Sequence, residues 1–337
     1  PKLRTVRQHG AMDFTIPPCD LDEVRKYRLG RVRQALIERD LAGIILYDQL
    51  NTRFATDATN MQIWCSHNEN RYVYIPAEGP VRLFDYGGKT FLSEGLPTVD
   101  EVRPPTTFYY FVSGTQTSAR AKKWALEMDD IIRTDSGGHK RIAIDKVSPL
   151  GVHEMERLGY QIHDGFELME EARSVKSAGE ILLMRASISV CEIAVQAMRE
   201  AMRPGITENA LWAELHRGNI AGGGEWIETR LLASGPRTNP WFQESSMRPI
   251  ESGDMVSFDT DLVGPYGYCC DISRSWVCGA SPTDEQRRLY AAAYEQIKLN
   301  MELLKPGTTF REITEGLHPM PEEFIPGRYG VAMHGVG

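Results

Sequence analysis

Three aspartates interrupt one short apolar stretch in the second half of this 337-residue chain. Asp259, Asp261 and Asp271 lie among Val, Phe, Leu, Tyr and Ile residues on both sides of a Gly-Pro pair. Such a stretch predicts two strands joined by a turn. Asp259 and Asp261 are two residues apart, so on one strand they would point to the same face. A turn near Pro265 would place Asp259 opposite Asp271, and we therefore expect the three side chains to converge.

Convergence of three carboxylates carries an electrostatic cost. Two unit charges about 4 Å apart repel each other by about 4 kcal/mol at an effective dielectric constant near 20. A cation or a shared proton must offset this repulsion, and hard cations prefer oxygen ligands. The alternative is a solvated acidic turn. Aspartate is depleted in strands, and these three interrupt an otherwise buried pattern, so a metal site is the favoured interpretation.

A histidine between glycines completes the pattern near the end of the sequence. His334 lies in the segment Gly330 to Gly337, where the glycines let the backbone approach other groups closely. A lone histidine in such a segment is more commonly a core residue. In the company of an acidic cluster it becomes a candidate imidazole ligand. Carboxylates with one imidazole suit iron, manganese, cobalt or zinc better than calcium.

Composition narrows the class of protein. The length predicts two domains, and a net charge of -8 without any basic run argues against a nucleic-acid partner. We see no apolar run near the length of about 18 residues that a membrane span needs. Residues 1–9 are not followed by the apolar segment of a secretory signal. Six scattered cysteines without zinc-site spacing indicate reduced thiols. We therefore expect a cytoplasmic protein with no membrane partner.

The first half alternates between helical and strand patterns. An amphipathic helix is predicted over residues 21–41, and a second helix from Ser118, as its N-cap, to Ile132. Buried strands are predicted at residues 43–47, 71–76, 81–85 and 141–145. Alternation of this kind predicts an α/β domain.

The second half predicts an α+β arrangement. Helices are expected from near Ser177 to Arg203-Pro204-Gly205, from Thr207 to about His216, and from Thr283 to Leu304, with strands between Arg230 and Val277. Helices around an antiparallel sheet are typical of α+β domains. We place the boundary near residues 173–176, which gives domains over residues 1–172 and 173–337.

Five segments of the second half carry recognisable motifs. They are Ala172 to Glu180, Arg203 to Glu208, Ser252 to Met255, Gly267-Tyr268 with Asp271 to Arg274, and Met333 to Gly337. Together these segments resemble the superfamily of creatinase, prolidase and aminopeptidase P. That resemblance implies a pita-bread catalytic fold over residues 173–337. Residues 1–172 resemble the creatinase-type N-terminal domain more loosely.

Two departures distinguish the chain from the peptidases of that superfamily. On this strand the chain has one more acidic residue than the peptidases, in the segment Asp259-Thr260-Asp261. The peptidases also have a histidine that assists amide hydrolysis, and at that position this chain has Asn239-Pro240-Trp241. Both departures resemble the dimethylsulfoniopropionate lyases of the superfamily. So do the segments Asn60 to Cys65, Phe258 to Tyr268 and Gly327 to Gly330.

The resemblance to the lyases implies a metal centre. It implies that Asp259, Asp261, Asp271 and His334 bind iron, as one ion or as a pair of ions, with manganese, zinc or cobalt as alternatives. It also implies two glutamate ligands and an acidic general base beyond residue 337. The lyases of this kind are expected to act as homodimers on a small zwitterionic substrate.

Aromatic residues are the remaining candidates for the site. The resemblance implies catalytic roles for Tyr329 and Asp261, and substrate-binding roles for Trp64, Tyr329 and Trp241. A sulfonium cation over a tryptophan ring gains about 0.5–2 kcal/mol, depending on desolvation. The alternatives remain open: Trp64 as a core or interface residue, Tyr329 as a packed aromatic, and Trp241 as a filler for the space of the missing histidine.

The favoured function is a lyase that cleaves dimethylsulfoniopropionate to dimethyl sulfide and acrylate. Metal coordination of the substrate carboxylate would acidify the adjacent carbon, a base would remove that proton, and dimethyl sulfide would leave from the next carbon. One alternative is a metal-dependent Xaa-Pro peptidase or creatinase-like hydrolase on the same fold. Another is a metal-free binding protein, which would be expected to have lost ligands that this chain retains.

Overall fold

The computed structural model describes residues 19–337, together with the backbone of two short strands before them. These strands, β1 (Thr5–Val6) and β2 (Phe14–Thr15), pair antiparallel with Thr5 opposite Thr15. The described chain divides into two compact units, residues 19–181 and residues 182–337. The boundary between the two domains that the sequence places near residues 173–176 stays a prediction.

The first unit contains a six-stranded mixed sheet with helices. Its strands are β3 (Gly43–Leu46), β4 (Tyr72–Pro76), β5 (Arg82–Phe84), β6 (Glu101–Arg103), β7 (Arg141–Ile144) and β8 (Gln161–Asp164). Its helices are α1 (Leu21–Glu38), α2 (Gln49–Thr56), α3 (Gln62–His67), α4 (Tyr110–Ser113), α5 (Thr117–Ser136), α6 (Pro149–Arg157) and α7 (Gly165–Ser174). The strand order is β6-β5-β4-β3-β7-β8. Strands β3, β7 and β8 run parallel, whereas β4 is antiparallel to both of its neighbours.

Apolar side chains cover both faces of this sheet. One core is built around Trp124 of α5 and Tyr72 of β4, and the other around Leu36 of α1 and Ile75 of β4. All five residues of β4 are buried, as expected for a central strand covered on both faces. The predicted α/β class is therefore confirmed.

The predicted N-cap of α5 is wrong. The helix begins at Thr117 rather than after Ser118, and the residue before it, Gln116, makes no side-chain capping bond. A short 3-10 turn over Gly114–Gln116 leads directly into the helix. Because that turn runs directly into the helix, α5 starts at Thr117, and Ser118 lies inside its first turn.

The second unit combines helices with two small antiparallel sheets. Its helices are α8 (Ala178–Ala201, beginning in the first unit), α9 (Glu208–Ala221), α10 (Asp284–Met301) and α11 (Phe310–Glu315). Its strands are β9 (Trp226–Ile227), β10 (Leu232–Ser234), β11 (Met255–Asp259), β12 (Leu262–Val263), β13 (Cys269–Cys270) and β14 (Ser273–Val277). The sheet orders are β10-β11-β14 and β13-β12-β9. This confirms the predicted α+β class.

Helix α9 continues one turn further than the sequence pattern predicts. Thr207 caps its start by accepting a hydrogen bond from the backbone N–H of Ala210. The helix passes the predicted end at His216 and stops only at Ala221. Three glycines follow, and Gly223 has a φ of 88°, a left-handed conformation that glycine tolerates at the end of a helix.

Helix α8 is long and apolar enough, by length and composition, to cross a membrane. The expectation that no segment approaches that length is therefore wrong for this helix. One face of α8 is buried in the protein core, including Ala186, Val190 and Ala194. Such burial is what a core helix of a globular domain shows, so the length of α8 does not indicate membrane insertion.

A buried carboxylate ties the start of α9 to the neighbouring loops. Glu208 is fully buried and accepts hydrogen bonds from the backbone N–H and hydroxyl of both Ser234 and Ser246. It also forms an ion pair with Arg237. Burial alone would raise the pKa of Glu208, but these hydrogen bonds and the arginine lower it below its usual value. The glutamate is therefore held ionised in the interior.

Candidate metal centre and its aromatic surroundings

The three predicted aspartates converge in the second unit. Asp259 ends β11, Asp261 follows immediately before β12, and Asp271 lies in the connection between β13 and β14. One carboxylate oxygen from each of the three lies within 4.8 Å of those of the other two. All three residues are partly buried. Convergence is thus as the sequence predicts, although the route to it differs.

The predicted hairpin register is wrong. Asp259 pairs with Ser273 rather than with Asp271, because β14 starts two residues later than a simple turn at Pro265 would require. The turn instead joins β12 to β13, which belong to the other sheet. Asp261 does not share a strand face with Asp259 either. It has a φ of 36° and lies between two strands.

Hydroxyl groups orient two of the three carboxylates. Ser273 Oγ donates to Asp259 Oδ1 over 2.8 Å, and Thr229 Oγ1 donates to Asp261 Oδ2 over 2.7 Å. Sequence reasoning did not identify either hydroxyl. Ser273 could have been noticed as a polar neighbour two residues after Asp271, whereas Thr229 carries no local signal.

A third hydroxyl holds the backbone around Asp271. Thr260 is fully buried between the two acids of its segment. Its hydroxyl donates to the carbonyl of Cys270 over 3.3 Å and accepts from the N–H of Ile272 over 2.8 Å. The residues on both sides of Asp271, Cys270 and Ile272, are therefore hydrogen-bonded to Thr260, which lies between Asp259 and Asp261 in the sequence.

The acidic cluster perturbs the protonation of its own members. Burial, a hydrogen bond with Asp259 and the charges of Asp259 and Asp261 raise the pKa of Asp271 to about 7. In the absence of a cation, Asp271 therefore keeps its proton to a higher pH than an ordinary aspartate does. A bound cation would replace that proton and favour the ionised form of Asp271.

His334 presents an imidazole nitrogen to this cluster. Its Nδ1 lies 2.9 Å from the carbonyl oxygen of Gly335, which can only accept, so Nδ1 carries the proton. The other ring nitrogen, Nε2, lies 3.5 Å from Asp271 Oδ2. Three carboxylates together with an imidazole are a donor set that fits a transition metal ion.

Comparisons with known proteins identify the group to which this chain belongs. The dimethylsulfoniopropionate lyase DddP of Roseovarius nubinhibens is 45% identical over 324 residues, which cover 94% of this chain and 73% of that protein. The lyase DddP of Roseobacter denitrificans is 43% identical over 328 residues, covering 94% of this chain and 72% of that protein. The chain belongs to the DddP family of dimethylsulfoniopropionate lyases. Residues 183–337 also match the metallopeptidase family M24.

The fold of this DddP-family chain is that of the pita-bread enzymes. An Xaa-Pro dipeptidase from Bacillus anthracis superposes with a TM-score of 0.67, covering 86% of this chain and 75% of that one, at 20% sequence identity. A likeness at this level of identity describes the fold alone. The fold expected over the second half is thereby confirmed.

Tyr329 lies in the same unit as the acidic cluster of this DddP-family chain. Its side chain is exposed, and its ring centroid lies 5.4 Å from that of Phe242 at an angle of 44°. Tyr329 also lines a cavity of about 290 Å³ with Asn300 and His318. Phe242 was not singled out from the sequence, although it directly follows Trp241.

The two tryptophans occupy different parts of the molecule. Trp241 is half-buried and follows the cis peptide bond between Asn239 and Pro240. Trp64 lies on α3 in the first unit and keeps 39% of its surface exposed. Its ring contacts Phe111 edge to face, with centroids 6.2 Å apart. Trp64 is therefore an accessible aromatic surface and not a core residue of its unit.

Proposed function

We propose that this protein is a metal-dependent carbon–sulfur lyase that cleaves dimethylsulfoniopropionate to dimethyl sulfide and acrylate. The observation that carries the proposal is the convergence of three aspartates beside His334 in a chain of the DddP family. A substrate with a carboxylate at one end and a sulfonium at the other needs a cationic group for the first and an aromatic surface for the second.

The residues that would hold the metal are Asp259, Asp261, Asp271 and His334. Carboxylate oxygens with one imidazole favour iron, with manganese, zinc and cobalt as alternatives, and the number of acids allows two ions. When bound, the metal would supply a Lewis acid that withdraws charge from the substrate carboxylate and acidifies the adjacent carbon.

The acids also set the reaction class. Asp261 adds a third negative charge to the cluster, and this charge disfavours the activation of water for hydrolysis. Trp241 stands where the sequence resemblance expects a peptidase histidine. Both features favour proton abstraction over hydrolysis. The fold is therefore compatible with a hydrolase, but Asp261 and Trp241 argue against that function.

Elimination from this substrate needs few protein groups. The base takes the proton next to the carboxylate, the C–H electrons form the double bond of acrylate, and the C–S bond breaks. The sulfur keeps that electron pair and leaves as neutral dimethyl sulfide, so no acid is required. We assign catalytic roles to Tyr329 and Asp261, as the resemblance to the lyases implies.

Aromatic side chains would hold the sulfonium end. Trp64, Trp241 and Tyr329 are the candidates, and each offers a ring face or phenol to a cation. The attraction of a sulfonium to such a ring is about 0.5–2 kcal/mol. It is lost when dimethyl sulfide forms, because the sulfur is then neutral, and release of the product follows.

We also propose that the enzyme is a cytoplasmic homodimer. Buried thiols at Cys65, Cys191, Cys270 and Cys278 suit a reducing compartment. Light scattering coupled to size-exclusion chromatography tests the oligomeric state directly. A monomer at micromolar concentration would contradict it.

Gas chromatography of the headspace tests the reaction. Metal-loaded full-length enzyme given dimethylsulfoniopropionate should release dimethyl sulfide, with acrylate in equal amount by liquid chromatography. Asp271→Asn should abolish release, whereas Asp284→Asn, which changes an exposed acid at the start of α10, should not. Absence of dimethyl sulfide together with clear cleavage of an Xaa-Pro dipeptide would assign the protein to the hydrolases.

A further inference from the structure

Asp261 lies outside the regular strands, so strand geometry does not determine the direction in which its side chain points. Strand β11 ends at Asp259 and β12 begins at Leu262, so Asp261 belongs to neither strand. Its φ of 36° is in the left-handed region, which is unfavourable for a residue with a Cβ atom. Such a conformation persists where surrounding contacts determine it.

Those contacts come from the segment that follows β9. Leu262 of β12 pairs with Ile227 of β9, and one step further the N–H of Glu228 donates to the carbonyl of Asp261 over 2.9 Å. The next residue, Thr229, donates its hydroxyl to Asp261 Oδ2 over 2.7 Å. One dipeptide thus holds both the backbone and the carboxylate of Asp261.

The carboxylate needs such an anchor because its neighbours repel it. Asp259 and Asp271 each place an oxygen within 4.8 Å of it, and Asp261 is half-buried, so its side chain has access to water. Rotation about the Cα–Cβ bond would relieve the repulsion and move the carboxylate out of the cluster. The hydroxyl of a β-branched threonine opposes this rotation, because its own χ1 is restricted.

We propose that Thr229 is a positioning residue of the metal centre, which holds Asp261 in the orientation that binds the ion. The proposal rests on the proposed function only in that the cluster binds a metal. Polar groups that hydrogen-bond to metal ligands commonly change metal affinity by about 10- to 100-fold when they are removed. Thr229 should therefore control the affinity of the site without touching the ion.

Titration of metal-depleted full-length protein with Co²⁺ tests the proposal. The visible absorption of bound Co²⁺, measured in competition with a chelator, gives the affinity. Thr229→Val keeps the branched shape but removes the hydroxyl, and Thr229→Ser keeps the hydroxyl. Thr238→Val is the matched control, since Thr238 is half-buried in the same unit and donates to the carbonyl of Gly235 over 2.9 Å.

Thr229→Val should bind Co²⁺ about 10- to 100-fold more weakly than the native protein. Thr229→Ser should keep most of the native affinity, Thr238→Val should keep all of it, and the two valine variants should unfold in urea at similar midpoints. Native affinity in Thr229→Val, or equal losses in the serine and valine variants, would overturn the proposal.

These results separate the role of Thr229 from the lyase function. Co²⁺ binding is measured without substrate, so a loss of affinity in Thr229→Val supports the positioning role even if native enzyme releases no dimethyl sulfide. That second result would overturn only the proposed reaction. Native affinity in Thr229→Val with an active native enzyme would overturn only the role of Thr229.

Discussion

Asp259 lies opposite Ser273 across the antiparallel strands β11 and β14, and the serine hydroxyl donates to Asp259 Oδ1 over 2.8 Å. This pairing leaves Asp271 in the connection before β14 rather than on the paired strand. The buried hydroxyl of Thr260 then bonds to the backbone on both sides of Asp271. The three aspartates therefore meet near strand ends of both small sheets. Hydrogen bonds from hydroxyl groups hold Asp259, Asp261 and the backbone around Asp271 in place there.

Replacement of Asp261 should lower the metal content of the protein. Asp261→Ala removes one of three converging carboxylates, and the remaining groups hold a cation less tightly. Elemental analysis of purified protein should show less metal per chain than in the native enzyme. Asp284→Ala, at an exposed position, should keep the native content. Full occupancy in Asp261→Ala would remove Asp261 from the ligand set.

The metal-free protein should lose stability as the pH rises through neutrality. Asp271 has a pKa of about 7 in the folded protein, above its ordinary value, so the folded state holds a proton that the unfolded state releases. This contribution to stability is complete below the ordinary aspartate pKa and is lost as the pH rises through about 7. Urea unfolding of metal-free protein should therefore show a smaller free energy at about pH 8 than at about pH 5.

Asp271→Asn isolates this contribution. Burial also raises the pKa of Asp145, in the first unit, to about 6, so both residues act in the same direction. The asparagine variant should keep the dependence due to Asp145 and lose the part due to Asp271. Equal pH dependence in native and variant proteins would contradict the assignment to Asp271.

Loss of the ring of Trp64 should weaken substrate binding but not metal binding. Trp64→Ala removes an exposed ring face, and a cation–π contact of about 0.5–2 kcal/mol corresponds to roughly 2- to 30-fold in affinity. KM for dimethylsulfoniopropionate should rise while metal content stays native. Phe111→Ala, which removes one edge-to-face neighbour of Trp64 and leaves the Trp64 ring in place, should have a smaller effect. A neutral sulfide analogue bound as tightly as the sulfonium would rule out the cation–π contact.

Removal of the buried carboxylate of Glu208 should destabilise the second unit. Glu208→Ala leaves Arg237 without its ion pair and the N–H groups of Ser234 and Ser246 without an acceptor. The free energy of unfolding should fall by about 3 kcal/mol. Glu214→Ala, which removes a more exposed pair with Arg217 on the same helix, should cost less than about 1 kcal/mol. Equal effects of the two variants in urea unfolding would contradict the account.

Local patterns in the sequence determined the elements and the residue types of the site. Helix α10, predicted from Thr283 to Leu304, extends over Asp284–Met301, and Thr283 and Gln286 form a capping box at its start. Spacing of this kind is visible in sequence because a helix or strand is specified by neighbours a few residues apart. The three aspartates were equally visible, since charge in an apolar stretch is a local anomaly.

Tertiary structure alone decided how those residues meet. Thr229 and Asp261 are 32 residues apart in the sequence, and only the pairing of β9 with β12 brings the hydroxyl to the carboxylate. The pairing of Asp259 with Ser273 and the left-handed backbone of Asp261 likewise depend on tertiary structure, because the chain passes from β11 of one sheet to β12 of the other between them. Strand register is set by the packing of distant segments, and a shift of two residues leaves the local pattern unchanged. The sequence by itself therefore determined which groups bear the chemistry, and the packing of the sheets decided their geometry.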